Sequence, residues 1–287
     1  MTPVGIIGCG LMGSACGARL KAAGIAITGY DIDSLKAAAL GGKPATALAD
    51  IARHCDTAVL AVFDTAQVED TIDALLTARP ADASPLTVVC VSTCDPDRIA
   101  ALAARLPADR LRFIEMPVSG TSEQTACGDA LGLVGGDPVA ADAVKEVLDA
   151  ICPRRHHLGA AGNGGRAKLA INLILGVNRA ALAEGLVFAE RMGLDPATFL
   201  GVAKDSAAYS QIMDVKGKKM VDGDFTPHGK IAQTLKDFRL MLEQAGKLRQ
   251  GLPLASTYAD IVDGCMKAGE AELDNAAVIH EIRRRRR

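Results

Sequence analysis

The 287-residue chain contains no Trp, and aromatic residues make up only 3% of it. Net charge is nearly absent too, with 32 Lys and Arg against 34 Asp and Glu. Together these shortages exclude a protein that binds nucleic acid over its whole surface, which needs a basic face and rings to stack on bases. Disorder is excluded by the opposite argument. It requires few apolar residues and a large net charge, whereas 49% of this chain is hydrophobic. The eight cysteines include no C-x-x-C pair, and several lie in apolar runs, where Cys behaves as a small hydrophobe. Metal-ligand spacing is missing as well, since the five histidines do not pair with cysteines. The start, Met1 to Gly5, has no basic region or cleavage site. The most apolar stretch, Leu169 to Ala183, is broken by Asn172, Asn178 and Arg179, and reads as too short and too polar for a membrane span. A reduced, cytoplasmic location is the expectation.

What is present is glycine, at 29 residues, and an alternating pattern of apolar runs and helix-forming stretches. Val4 to Gly8 reads as a buried strand, Ser14 to Ala23 as a helix, and Ile25 to Tyr30 as the next strand. Further strands are expected within Asp56 to Phe63, Leu86 to Val91, Arg112 to Met116 and Ala130 to Gly136. Helices are expected over Thr65 to Ala78, Pro96 to Leu106 and Val139 to Ile151. Repeated strand–helix units predict an α/β fold, a doubly wound and mostly parallel Rossmann sheet. From Arg166 to Met192 there are 27 residues without Pro, enough for a helix of about 40 Å. Beyond Gly193 every segment reads as helical. The expected organisation is a dinucleotide-binding domain over 1–161, a long interdomain helix over 162–193 and an all-α domain over 194–287.

The first chemical signal is Gly8-Cys9-Gly10-Leu11-Met12-Gly13. A lone G-x-G-x-x-G is weak, but this one follows a strand, opens a helix and precedes an acidic residue at a strand end. Gly8 allows the tight turn, Gly10 lets a pyrophosphate approach the backbone, and Gly13 lets helix pack on strand. Asp31 lies 18 residues past Gly13. Its carboxylate can accept from a ribose 2′-hydroxyl and would repel a 2′-phosphate. That points to NAD, with NADP the alternative. The second signal is Lys168, in the first turn of the long helix after a glycine-rich loop. A lysine there opposes the helix dipole. The dipole and burial would both lower its pKa from about 10.4 toward neutrality, making it a usable acid/base. A surface lysine snorkelling from the helix reads equally well from physics alone. Asn172, four residues on, shares its face.

These blocks resemble the β-hydroxyacid dehydrogenases, which include 3-hydroxyisobutyrate dehydrogenase and tartronate semialdehyde reductase. The resemblance is carried by Gly5 to Gly13, by Val91-Ser92-Thr93-Cys94-Asp95-Pro96, by Met116-Pro117-Val118-Ser119-Gly120, and by Gly162 to Asn172. Leu235-Lys236-Asp237 adds a further element near the end. It implies an NAD(P)-dependent oxidoreductase that moves a hydride between the nicotinamide and a small 3-hydroxy acid or its semialdehyde. Leu11, Met12, Val62, Phe63 and Thr93 would join the glycines and Asp31 around the cofactor, and Lys236 would reach it from the second domain. Ser119, Gly120 and Thr121 would hold the substrate carboxylate, Asn172 would orient the substrate, and Lys168 would be the acid/base. A homodimer or homotetramer is implied, with no nucleic-acid or membrane partner.

The chain departs from the family at Thr121, where a second glycine is usual, and at Glu123 and Gln124, which replace small residues. That predicts an extra hydroxyl in the carboxylate cradle and a substrate other than 3-hydroxyisobutyrate. The phosphate-binding side chains of the longer 6-phosphogluconate dehydrogenase cannot be placed. An imine reductase of similar architecture, or a non-catalytic dinucleotide-binding relative, is the alternative; Lys168 argues against both. Asp237 reads as able to pair with a neighbouring cation in a weak surface contact. Five arginines, Arg283 to Arg287, close the chain; 32 less these five leaves 27 basic residues against 34 acidic. They read as a solvated helix end, or else as an anion-binding arm.

Overall fold

A computed structural model describes residues 2–41 and 44–285. In chain order the first half contains β1 (Val4–Ile7), α1 (Leu11–Ala22), β2 (Ile27–Tyr30), α2 (Ser34–Ala39), α3 (Leu48–His54), β3 (Thr57–Leu60), α4 (Thr65–Ala78), β4 (Leu86–Cys90) and α5 (Pro96–Arg105). There follow β5 (Leu111–Glu115), β6 (Val118–Ser119), α6 (Ser122–Cys127), β7 (Leu131–Gly136), α7 (Pro138–Ala143), α8 (Lys145–Ile151), β8 (Arg154–His157) and α9 (Asn163–Arg191). The second half contains α10 (Pro196–Asp205), a π-helical turn (Met213–Gly217), α11 (Lys218–Asp222), α12 (Ile231–Lys247), α13 (Pro253–Lys267), a 3₁₀ turn (Asn275–Ala277) and α14 (Val278–Arg284). The chain divides into two compact units, residues 1–168 and 169–287, with the division inside α9.

The first unit is a sheet in the order β2-β1-β3-β4-β5-β7-β6, with β8 paired to β7. The five strands from β2 to β5 are parallel. β7 runs antiparallel to β5, so the far end of the sheet is mixed rather than parallel. Alternate residues of the buried strands enter different cores. Ile6, Val59 and Val89 join one cluster, while Ile7, Leu60, Val88 and Cys90 join the other. That is the period-two signature of a sheet covered on both faces. The chain leaves β1 in one direction to β2 and in the other to β3, so the switch point lies at the end of β1.

Three helix starts are set by Asp-Pro pairs. Asp95, Asp137 and Asp195 each accept a backbone N–H of the helix they open, with Pro next in line. The single helix expected over Val139 to Ile151 is instead two. Val144, at φ −115°, breaks it. α9 is 29 residues long and, by length and composition alone, is apolar enough to cross a membrane. This corrects the reading from Leu169 to Ala183, which covered only part of it. Its Arg179 is nonetheless met by protein, donating to the Tyr258 hydroxyl at 2.7 Å, and both are buried. It acts as a core helix of the second unit, where Leu169, Leu182, Ala183 and Leu186 pack with Phe238, Met241 and Tyr258.

Among the described residues the second unit is helical apart from one antiparallel bridge, Lys230 with Asp274. The terminal arginines end α14 in ion pairs: Arg283 with Glu190, Arg284 with Glu270 and Arg285 with Asp260. Arg286 and Arg287 lie outside the described residues.

Candidate active site

The glycine turn is built as the sequence requires. Gly8 has φ +86°, and a Cβ there would stand 2.3 Å from the Ala61 carbonyl oxygen. A Cβ on Gly13 would stand 1.8 Å from the Gly8 carbonyl oxygen, so α1 can close on the turn only without one. Gly10 differs: a Cβ there would meet nothing within 4 Å. The space before Gly10 is open, and no side chain caps α1 nor does any acidic residue sit in its first turn. Leu11 and Met12 supply that first turn. Open space facing uncapped helix amides suits a pyrophosphate.

Asp31 ends β2 beside this turn. One carboxylate oxygen accepts the Cys9 N–H at 2.7 Å, and the other accepts the Asp33 N–H at 2.8 Å. Each oxygen keeps a second acceptor site for an incoming hydroxyl. The loops after β3 and β4 are tied together at the same edge of the sheet. The Ser92 hydroxyl donates to the Val62 carbonyl at 2.8 Å and accepts the Val62 N–H at 2.9 Å, while Thr65 accepts the Asp95 N–H. This brings Val62, half-exposed Phe63 and buried Thr93 to one edge with Gly8.

The substrate-loop candidates follow on β6 and α6. Gly120, with φ +152°, leaves no room for a side chain, since a Cβ would lie 2.9 Å from that of Ala130. Thr121 caps α6 in a capping box. Its hydroxyl accepts the Gln124 N–H at 3.1 Å, and the Gln124 side-chain Oε1 accepts the Thr121 N–H at 2.9 Å. The hydroxyl expected in the cradle therefore serves as a helix cap, and the Thr121 amide is taken by Gln124.

Lys168 is 8% exposed, and its Nζ donates to the Val118 carbonyl at 2.6 Å, one residue before Ser119. The start of α9 is held by Glu115, a residue sequence reasoning missed. It is buried at the end of β5, and its two oxygens accept the N–H groups of Gly164 and Gly165 at 2.8 and 3.1 Å. Burial pushes its carboxyl pKa up, against the pull of the Gly164, Gly165 and Gly162 amides and of Arg166. The available signal was a lone carboxylate ending an apolar strand in a chain with two nearby Gly-Gly pairs.

In the second unit, the Asn172 side chain donates to Asp237 at 3.0 Å, and Lys236 pairs with the other Asp237 oxygen at 3.0 Å. Asp237 is buried, so the weak surface contact expected for it is corrected to an anchoring one.

A Rossmann sheet whose glycine turn, acidic strand end and loop residues meet at the switch point defines a nicotinamide-dinucleotide oxidoreductase. Comparison with known proteins agrees. Residues 3–159 match the NAD binding domain of 6-phosphogluconate dehydrogenase, and residues 162–282 match the NAD-binding of NADP-dependent 3-hydroxyisobutyrate dehydrogenase. The chain is 30% identical to L-threonate dehydrogenase of Escherichia coli K12, over 96% of this chain and 93% of that one. It is 28% identical to 2-hydroxy-3-oxopropionate reductase of the same organism, over 97% and 96%. A crystal structure of 3-hydroxyisobutyrate dehydrogenase from Salmonella typhimurium superposes with a TM-score of 0.88 at 29% identity, covering 98% and 99%. The chain belongs to the β-hydroxyacid dehydrogenase family. It is an NAD(P)-dependent oxidoreductase acting on a small hydroxy acid.

Proposed function

We propose that this enzyme oxidises a short 3-hydroxy acid, or reduces the matching semialdehyde, with Lys168 as general acid/base. The observation that carries the reading is the Lys168 ammonium, buried and bonded to Val118 beside Ser119. The bound nicotinamide would accept or supply the hydride. For oxidation, neutral Lys168 Nζ takes the proton of the substrate hydroxyl as the hydride leaves the same carbon. For reduction, the ammonium polarises the carbonyl and returns that proton. Ser119 and the Gly120 N–H hold the carboxylate, Thr121 shapes the loop beside them, and Asn172 orients the substrate. Gly8, Gly10, Leu11, Met12 and Gly13 hold the pyrophosphate, while Val62, Phe63, Thr93 and Lys236 complete the cofactor site. Asp31 favours NAD over NADP. The relatives named for activity on threonate and on 2-hydroxy-3-oxopropionate support a short polar acid.

We read the chain as a dinucleotide-binding domain over 1–161, a long helix over 162–193 and an all-α domain over 194–287. Ile174, Phe188 and Met192 of the α9 region are exposed and apolar, which supports a homodimer or homotetramer. A cytoplasmic location fits this metabolic role. The test is a spectrophotometric screen of short hydroxy acids and semialdehydes with both cofactors. Turnover of a 3-hydroxy acid with NAD supports the reading; turnover confined to imines overturns it.

A further inference from the structure

We infer that Glu115 is a positioning residue for Lys168, setting both the place and the proton affinity of its ammonium; this rests on the acid/base reading of Lys168. The observation is a pair of clasps between two short segments. In residues 115–118, Glu115 grips the backbone N–H groups of Gly164 and Gly165, and the Val118 carbonyl grips Lys168 Nζ. In residues 164–168, the gripped amides and the gripped ammonium lie on successive turns of α9. Neither segment can shift without breaking a bond at the other end.

The space around the carboxylate is made for it. A Cβ on Gly135, the cross-strand partner of Glu115, would stand 2.3 Å from Glu115 Oε1. Cβ atoms on Gly164 and Gly165 would stand 3.2 and 3.3 Å from the carboxylate oxygens. A neutral helix cap from Ser or Asn would need no such socket. A carboxylate does one thing that those caps cannot: it offers two acceptor oxygens, and with them negative charge, to the N-terminal end of α9. There it opposes the positive end of the helix dipole, which acts against the Lys168 ammonium. Glu115 is faced by Arg166 from α9 and by the Cys90 thiol from β4. Arg166 is half exposed and paired with Asp97, so it keeps its charge when Glu115 is changed. Cys90 is pushed well above the ordinary thiol range by its hydrogen bond with Cys94 and by burial, and so stays neutral near pH 7.

The test is Glu115→Gln, which keeps the shape, removes the charge and turns one of the two acceptors into a donor, beside Gly165→Ala, which keeps the charge and crowds it. Expected for Glu115→Gln is a fall in kcat of roughly tenfold to a hundredfold, the scale set by misplacing a reacting group. The substrate KM and the affinity for reduced cofactor change by less than about threefold, because uniform binding is untouched. Removing an anion lowers the pKa of a neighbouring ammonium. The rising limb of kcat/KM for oxidation therefore moves about one unit toward lower pH. Gly165→Ala shows the same kcat-selective loss. If both variants fold and turn over with the wild-type kcat and pH profile, the positioning role is wrong. If Glu115→Gln yields no folded protein, Gly165→Ala decides alone, and a normal kcat there overturns the role. Lys168→Ala separates the two readings. Wild-type turnover in it removes the acid/base role itself, whereas its inactivity beside normal Glu115→Gln and Gly165→Ala removes only the positioning role.

Discussion

Asp237 accepts a hydrogen bond from Asn172 at 3.0 Å with one oxygen and holds Lys236 at 3.0 Å with the other. Two residues with expected roles in substrate and cofactor binding thus depend on one buried carboxylate. In Asp237→Ala both lose their anchor. Losing hydrogen bonds to a charged group costs about 1.5–3 kcal/mol, so Tm should fall. At a temperature where the variant is still folded, kcat/KM should drop at least tenfold. Wild-type kcat/KM in the folded variant would show that the anchoring is irrelevant to activity.

Gly13→Ala and Gly10→Ala should separate folding from binding. The first drives a Cβ to within 1.8 Å of the Gly8 carbonyl oxygen, so overpacking of about 1–3 kcal/mol is expected with weakened cofactor binding. The second points its methyl into open space. It should leave Tm unchanged and still weaken the cofactor, because that space is where the pyrophosphate approaches. Thermal melts and cofactor titrations of both variants check this. Unimpaired cofactor binding in Gly10→Ala would move the phosphate site elsewhere.

Replacing Asp31 should shift the choice of cofactor. A hydrogen bond to a charged group contributes about 1.5–3 kcal/mol, so Asp31→Ser should raise KM for NAD roughly tenfold or more. KM for NADP should change less, since a repelling carboxylate has gone. The Cys9 amide also loses its acceptor, which affects both cofactors alike. The ratio of the two KM values is therefore the readout, and an unchanged ratio contradicts the ribose assignment.

The Lys216–Asp274 pair in the second unit makes a prediction about pH. Both side chains are almost fully buried, 2.7 Å apart. Burial pushes Lys216 down to about 8, despite the upward pull of Asp274. In Asp274→Asn that pull is gone, so the folded-state pKa falls below 8 while the unfolded value stays near the reference of about 10.4. Between those values the unfolded chain binds more protons, so stability rises with pH. The Tm deficit of Asp274→Asn should therefore shrink as the pH rises to about 8 and level off above it, where Lys216 loses its proton in the wild type as well. A deficit independent of pH would mean that Asp274 does not hold the Lys216 pKa up.

What the sequence made legible follows from where information is local. The β1–turn–α1–β2 unit is readable because glycine requirements, strand length and the Asp31 offset all lie within some thirty residues and agree. The long helix is readable from an unbroken run of helix formers. β8 was not, because Arg154 to His157 is a polar edge strand whose pairing comes from the ladder of β7. The direction of β7 was not either, since apolar pattern carries no strand polarity. The site divides in the same way. Lys168 stood out by opposing its own helix dipole, but Glu115 looked like a strand end until folding brought it to Gly164 and Gly165, 49 and 50 positions away. Thr121 resembles a substrate contact in the sequence, and its capping box with Gln124 becomes visible only in the fold.

The most direct measurement is steady-state turnover of Lys168→Ala, with cofactor affinity measured in parallel. A general acid/base contributes about 10²–10⁴-fold. The account predicts a loss of kcat on that scale with cofactor affinity within about threefold of wild type, because Lys168 is held at Val118 beside the substrate loop. Wild-type turnover in Lys168→Ala, with the cofactor bound normally, would contradict it.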